Sequence, residues 1–251
     1  MTDTLPVQTG KTVLELIEAL IDLEEATLSE LAAHLDMPKS TLHDHLQSFE
    51  AMGLVVSTDG RYRPSLRFLE IGERVRRQRA IYKSSHQQVK ELATETGEHA
   101  GLMIEENGVG VLLYVARGEN AVNLRAWAGQ HLELSTNAPG KAILAHMHPE
   151  RVDTIIDRHG LPQYTPKTIT DRDVLKTELD EIRERGYATE TGELVEGVRA
   201  VATPIISHEE IRGAIAVGGP HKRMRGKRFD DDLPDMLLQT ANVVELNLSY
   251  G

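Results

Sequence analysis

The chain has no cysteine among its 251 residues. Disulfides and thiolate chemistry are therefore excluded, and the cytoplasm is the expected location. No apolar run approaches the roughly 20 residues that cross a bilayer, so no membrane association is expected. The N-terminus lacks a basic region followed by an apolar stretch, so no secretion signal is read there. Low-complexity tracts and internal repeats are missing too. So are catalytic signatures. "NAPGKAILA" (137–145) does not have the GxxxxGK[ST] spacing of a phosphate loop, and no GxSxG elbow occurs. His146 and His148 stand two apart near Glu150 without HExxH spacing, and they read as surface histidines at a helix end. No metal, no cofactor and no enzymatic role is expected.

Positive charge is also scarce. The net charge is −11, with 19 arginines against 9 lysines. Residues 1–90 carry 11 Lys plus Arg against 13 Asp plus Glu, whereas residues 91–251 carry 17 against 26. The acidity is concentrated in the second part, so any case for nucleic acid must rest on local charge. An acidic excess with few lysines also suits a chain working in concentrated salt, which points to a halophilic archaeal source.

What is present begins with a helical pattern. In "TGKTVLELIEALIDLEEATLSELAAHLDMPKSTLHDHLQSFEAMGLVV" three segments follow one another. Val13, Leu14, Ile17, Leu20 and Ile21 make one apolar face on the first. Thr27 with Glu30 predicts a capping box for the second, whose Leu28, Leu31, Ala32 and Leu35 face inward. Pro38 suits the first turn of the third, and Leu42, Leu46, Phe49 and Met52 give its buried stripe. Gly53 can supply the left-handed residue that ends it. "LVVSTDGRYRPS" then reads as strand, Asp-Gly turn and strand, a hairpin wing.

Three short helices and a basic hairpin form a winged helix-turn-helix. Lys39, Ser40 and Thr41 are placed to hold phosphate at the start of the third helix. His43, Asp44 and Gln47 are placed for base edges in a major groove, where Gln47 can pair with adenine. Asp44 could instead pair locally with His43 or His45. Arg61, Arg63 and Arg67, on or just past the wing, can reach flanking phosphates. The alternative is a protein-interaction module with the same residues merely solvated.

From Ser65 a long helical pattern continues to Gly97, with four arginines in "RVRRQR" and a change of apolar spacing between Arg79 and Ser85. It reads as a linker helix. Beyond His99, strands are expected at "HAGLMIEENGVGVLLYVARG", as a hairpin about Asn107-Gly108, and at "NAVNLRAWAG", "VRAVATPIIS" and "IRGAIAVGGP". Helices are expected from near Gly140, over "DRDVLKTELDEIRERG" with Asp171 as cap and Val174, Leu175, Leu179 and Ile182 inward, and at the C-terminus. Paired strands with segregated helices make an α+β domain with a central antiparallel sheet. Glu190, Glu193 and Glu196 form an acidic loop, either solvated or meeting a polar or cationic ligand. "HKRMRGKR" (221–228) reads as a surface loop balanced by Asp230, Asp231 and Asp232 or by a partner subunit, with nucleic acid the alternative.

Four stretches in this order, "LSELAAHLDMPKSTLHDHLQSFEAMGLV", "LSTNAPGKAILA", "IRERGYATETGELVEGVRAVATPI" and "IRGAIAVGGP", resemble the IclR family of bacterial and archaeal transcription regulators. The resemblance covers residues 10–248. It implies a winged helix-turn-helix at 8–66, a linker helix at 67–84 and an effector-binding domain with a GAF-like sheet at 85–251. It also implies a homodimer or homotetramer on a near-palindromic double-stranded operator, and a small effector such as an organic or sugar-derived acid. The effector residues implied are Ala138 and Gly140, matching a loop that offers backbone donors, Glu190 after the "GY" helix end, and Ala200, Ala216 and Gly218. Ala200 falls where some members have cysteine, and Ala216 and Gly218 where some have serine. A pocket so lined has lost hydrogen bonds to a small carboxylate. It suits a larger or less polar ligand, backbone donors, or none. The competing reading is a constitutive DNA-binding protein whose second domain only assembles subunits.

Overall fold

The structure, a computed structural model, describes residues 7–250. They divide into two compact units between Val75 and Arg76.

The first unit holds helices α1 (Gln8–Asp22), α2 (Leu28–Leu35) and α3 (Lys39–Ala51) and strands β1 (Ala26–Thr27), β2 (Val55–Thr58) and β3 (Arg61–Pro64). The strands form an antiparallel sheet in the order β1-β3-β2. Each join has a local cause. Thr27 and Glu30 exchange both bonds of the capping box at the start of α2 (Glu30 N–H to Thr27 Oγ1 3.3 Å, Thr27 N–H to Glu30 Oε2 2.7 Å). Asp36, in the left-handed conformation, turns α2 toward α3. At the far end of α3, Gly53 takes φ +69°, and Leu54 N–H reaches Phe49 O at 2.8 Å, closing the helix with a Schellman turn. Asp59 and Gly60 both have positive φ, as the two-residue turn of the wing requires. The core is Leu16, Ile17, Leu20, Leu31, Leu42, Leu46, Phe49 and Val55. Each large side chain buried there contributes roughly 1.5–3 kcal/mol.

Helix α4 (Arg67–Gln78) carries the unit boundary, and a single residue in extended conformation, Arg79, separates it from α5 (Ala80–Thr96). The second unit is built on six antiparallel strands in the order β6-β5-β4-β9-β8-β7. They are β4 (His99–Glu106), β5 (Val109–Arg117), β6 (His131–Leu132), β7 (Ala188–Glu190), β8 (Val198–Ser207) and β9 (Glu210–Pro220). On one face α5 and α9 (Leu233–Tyr250) cover Leu102, Val201, Ile215 and Val217. On the other lie α6 (Ala138–Ala145), α7 (Pro149–His159) and α8 (Arg172–Arg185), over Met103, Ala200, Ala202 and Ala214. Strand alternation sorts the two sets. Asp171 caps α8 through the amides of Asp173 and Val174, and Gly186 ends it at φ +82°.

Several sequence expectations are corrected. Leu14 and Ile21 are exposed, because α1 buries the stripe of Leu16, Ile17 and Leu20 instead. Met52 and Val174 are exposed as well, the first because it stands at a helix end. Pro38 precedes α3 as its N-cap residue rather than opening it. "NAVNLRAWAG" forms no strand: its alternation imitates one, but Leu124 N–H and Ala126 N–H bond back to the carbonyls of Val122 and Leu124, two residues away. A further helix, α7, opens at Pro149, where its missing N–H costs no bond. In the stretch read as a linker helix, 67–84, residues through Val75 fall in the first unit and Ile81 lies in the core of the second.

Candidate DNA-binding surface and effector site

Helix α3 is two-sided. Leu42, Leu46 and Phe49 are buried, while Lys39, Ser40, Thr41, His43, Asp44 and Gln47 are all exposed. Ser40, Thr41 and Gln47 make no side-chain hydrogen bond or ion pair among the described residues. Their polar groups are open to an external partner. Lys39 Nζ donates to Ser29 Oγ at 2.8 Å, tying α3 to α2. His43 and Asp44 approach to 3.8 Å, a loose contact between exposed groups.

The wing arginines are not equivalent. Arg61 turns back to Glu25, with Nε to Oε1 at 2.9 Å, and stands 3.5 Å from Glu30. Arg67 donates to Met52 O at 2.7 Å. Both are occupied in joining elements of the unit. Arg63 is exposed and makes no ion pair among the described residues. Phosphate contact from the wing would be easiest for Arg63.

In the second unit, register collects most of the residues implied for the effector. Ala200 lies opposite both Glu190 of β7 and Gly218 of β9, and Ala202 lies opposite Ala216. Strand β4 continues the rows, with His99 opposite Gly218 and Gly101 opposite Ala216. The result is a patch of sheet with almost no side-chain bulk, on the face that α6 covers. Ala138 is fully buried in the same apolar cluster as Ala200, against which Ala216 packs.

Two of the residues implied for the effector are already bonded within the fold. The Gly140 amide is already taken by Asn137 Oδ1 at 2.8 Å, and a Cβ at Gly140 would stand 2.2 Å from Leu134 O. Its absent side chain lets α6 sit against the preceding turn, so the expected backbone donor is spent internally. Glu190 likewise receives the amides of Glu193 (2.9 Å) and Leu194 (3.2 Å) through Oε1. Burial pushes its carboxyl up from the ordinary 4.5 to about 7, and the neighbouring Glu193 adds to this against the pull of those amides and of Lys141.

The acidic loop meets a cation from within the chain. Lys141, the lysine inside the small-residue helix α6, is fully buried with Nζ 2.8 and 2.9 Å from the Glu193 oxygens and 3.6 Å from Glu178. Glu178 is shared with Arg185 at 3.3 Å. Burial raises the Glu193 carboxyl, and the Lys141 ammonium pulls it back. Thr165 and Thr168 bond the loop carbonyls of Gly192 and Glu193 at 2.7 and 2.6 Å. Glu196 stays exposed. The sequence signal for the buried pair was a charged residue in the middle of an otherwise small and apolar run.

The basic run at 221–228 is also mostly occupied. Arg223 grips the buried Glu98 through two bonds of 2.6 and 2.7 Å, Arg228 donates to Thr96 O at 2.7 Å, and Lys227 pairs with Asp232 at 2.9 Å. His146, His148 and Glu150 assemble no metal site, and no cluster of three metal-ligating side chains occurs among the described residues. No helix of the described residues is long and apolar enough to cross a membrane.

Comparison with known proteins fits this geometry. A model described as "Bacterial transcriptional regulator IclR C-terminal" matches residues 74–246, and one described as "IclR helix-turn-helix domain" matches residues 13–59. The "Probable HTH-type transcriptional regulator ArcR" of Halobacterium salinarum is 29% identical over 244 residues, covering 94% of this chain and 91% of its own. The crystal structure of the Thermotoga maritima IclR superposes with a TM-score of 0.84 at 27% identity, covering 97% of this chain and 99% of that one. An IclR homolog from Microbacterium hydrocarbonoxydans, complexed with 4-hydroxybenzoate, has the same fold (TM-score 0.77, 21% identity, 94% and 98% coverage). The curated relative is named as a regulator and not as an enzyme. With a DNA-binding helix-turn-helix at one end and an effector-binding domain of matching extent at the other, the chain belongs to the IclR family of transcriptional regulators.

Proposed function

We propose that this regulator reads a near-palindromic operator as a homodimer or homotetramer, and that a small molecule bound over the Ala200–Gly218 patch alters its operator affinity. The observation that carries the reading is the division of α3: its apolar stripe is buried while Ser40, Thr41 and Gln47 stand exposed with no side-chain partner among the described residues. A helix so presented offers its polar face to a major groove, with base contacts from His43, Asp44 and Gln47 and phosphate contacts from Lys39, Ser40, Thr41 and Arg63. Arg61 would join them only by leaving Glu25. Pairing of subunits is supported by Val7, Leu14 and Ile21, exposed at seven-residue spacing, and by the exposed Leu66, Leu69 and Ile71. The small-molecule reading is supported by the bare patch under α6 and by the 4-hydroxybenzoate held by a protein of the same fold.

Titration of fluorescent DNA from upstream of the protein's own gene tests both halves. Binding should be saturable and salt-sensitive, and it should shift when a panel of hydroxylated organic acids, 4-hydroxybenzoate and lactate among them, is added. Tight binding that responds to neither the panel nor a metabolite extract would favour the constitutive alternative. No sequence-specific binding at all would overturn the reading.

A further inference from the structure

Glycines in a fold are often forced, and the second unit has both forced and unforced ones. A Cβ at Gly118, Gly140 or Gly213 would lie 2.2–2.4 Å from backbone atoms. At Gly101 and Gly218 it would meet nothing nearer than 3.7 and 3.4 Å, and neither residue has positive φ. Packing and backbone conformation do not require glycine at these two positions. Both lie on the face of β4 and β9 that carries Ala216, with Ala200 and Ala202 beside them on β8.

The polar side chains on that face are Glu190, whose Oε1 already receives two backbone amides, Arg117, which donates to Ala121 O, and His99. His99 is opposite Gly218, and strand alternation points it the same way as Gly101 and Met103. It is only 8% exposed. Its Nε2 lies 2.6 Å from the carbonyl oxygen of Val122, at the start of the irregular segment that runs from Ala121 to Gly129. A carbonyl only accepts, so Nε2 carries the proton, and in the neutral ring Nδ1 is then an acceptor. Nδ1 is buried and has no hydrogen-bond partner among the described residues. Buried acceptors are normally satisfied, so this one calls for a donor. Across the pair, Gly218 offers no side chain to supply it.

We propose that His99 Nδ1 is the polar anchor of the effector site, accepting a hydrogen bond from a hydroxyl on an otherwise largely apolar ligand that lies over Gly101, Ala216 and Gly218. This rests on the effector reading above and adds the ligand's chemistry to it. The alanines and glycines provide room and contact area, and the histidine sets orientation. A hydroxyl proton satisfies Nδ1, whereas the same ligand without its hydroxyl leaves the acceptor buried and unpaired.

Two variants separate the ring's nitrogens. In His99→Gln the terminal amide reaches the position of Nε2 and keeps the bond to Val122, but it offers nothing at Nδ1. In His99→Asn the amide oxygen takes the place of Nδ1, and the Val122 bond is lost. Binding of 4-hydroxybenzoate, benzoate, lactate and propionate is measured by calorimetry on the full chain, alongside melting curves. At least one hydroxylated compound should bind wild type more tightly than its deoxy counterpart. That preference should fall roughly 10- to 100-fold in His99→Gln at an unchanged melting midpoint. His99→Asn should melt lower yet retain the preference. Equal affinity in wild type and a folded His99→Gln would overturn the role of His99 and leave the effector reading standing. Failure of wild type to bind any of the four or any component of a metabolite extract would overturn the effector reading itself. Independently of any ligand, nitrogen NMR of the imidazole should show a protonated Nε2 and a bare Nδ1, and a protonated Nδ1 in the free neutral ring would also overturn the proposal.

Discussion

The two units carry their candidate sites in opposite ways. In the first, the functional groups stand on the outside of a helix, and the fold spends its apolar residues behind them. In the second, the groups lie on one face of a sheet, and most polar side chains beside them, Glu190, Glu193 and Lys141 among them, are already bonded within the fold, with His99 Nδ1 the exception. An exposed site can be altered with little cost to stability. A buried one leaves less freedom, because a variant there must keep the bonds that hold the structure together, as His99→Gln keeps the bond to Val122. Gln47 has no partner to lose, while Lys141 has two carboxylates that depend on it.

Breaking the comparison begins with the largest effect. Lys141→Met leaves Glu193 buried without its cation, which should cost about 3–5 kcal/mol. Chemical denaturation should show a lowered midpoint for the second unit, with the signal of the first unchanged. Next, Gln47→Ala combined with Arg63→Ala should weaken operator binding by about 2–4 kcal/mol in a DNA titration while the melting curve stays in place. A variant that lost binding only because it unfolded would erase the contrast between the units.

Glu190 sharpens the comparison through pH. Its folded carboxyl titrates near 7 against an ordinary 4.5, so between these values the folded state holds a proton that the unfolded chain has released. Stability therefore falls as pH rises through that window, by about 3 kcal/mol at most, and is regained on acidification. Glu190→Gln keeps an acceptor for the Glu193 and Leu194 amides without the charge. Melting curves between pH 4 and 8 should be flatter for this variant and cross above wild type at the alkaline end. The smallest change is expected at the surface: Arg61→Ala breaks exposed pairs with Glu25 and Glu30 and should cost under about 1 kcal/mol by denaturant titration, less in high salt.

The same contrast explains what could be read from residue order. Helical spacing, the Thr27–Glu30 box, Gly53 and Asp59-Gly60 are local signals, and local geometry follows them. The exposed face of α3 was legible because one period sorts inside from outside. Pairings between distant residues were not. Nothing near Arg61 announces Glu25, and nothing in "NAPGKAILA" announces that Lys141 closes on Glu193, 52 positions away. The family resemblance located Ala200, Ala216 and Gly218 as a group, yet His99 joins them only through cross-strand register. Its significance depends on one nitrogen without a partner. Periodicity also misled where two faces compete, as with Leu14 and Ile21, and where an alternating segment bonds to itself instead of to a sheet.

The contact at Gly140 has a mechanical consequence. With no methyl group between the helix backbone and the turn at Leu134, there is no compressible spacer, and the Asn137 side chain fastens the two on either side. Helix α6 and residues 134–137 must then travel as one stiff piece. A displacement of α6 against the sheet would therefore carry the turn at Leu134 with it.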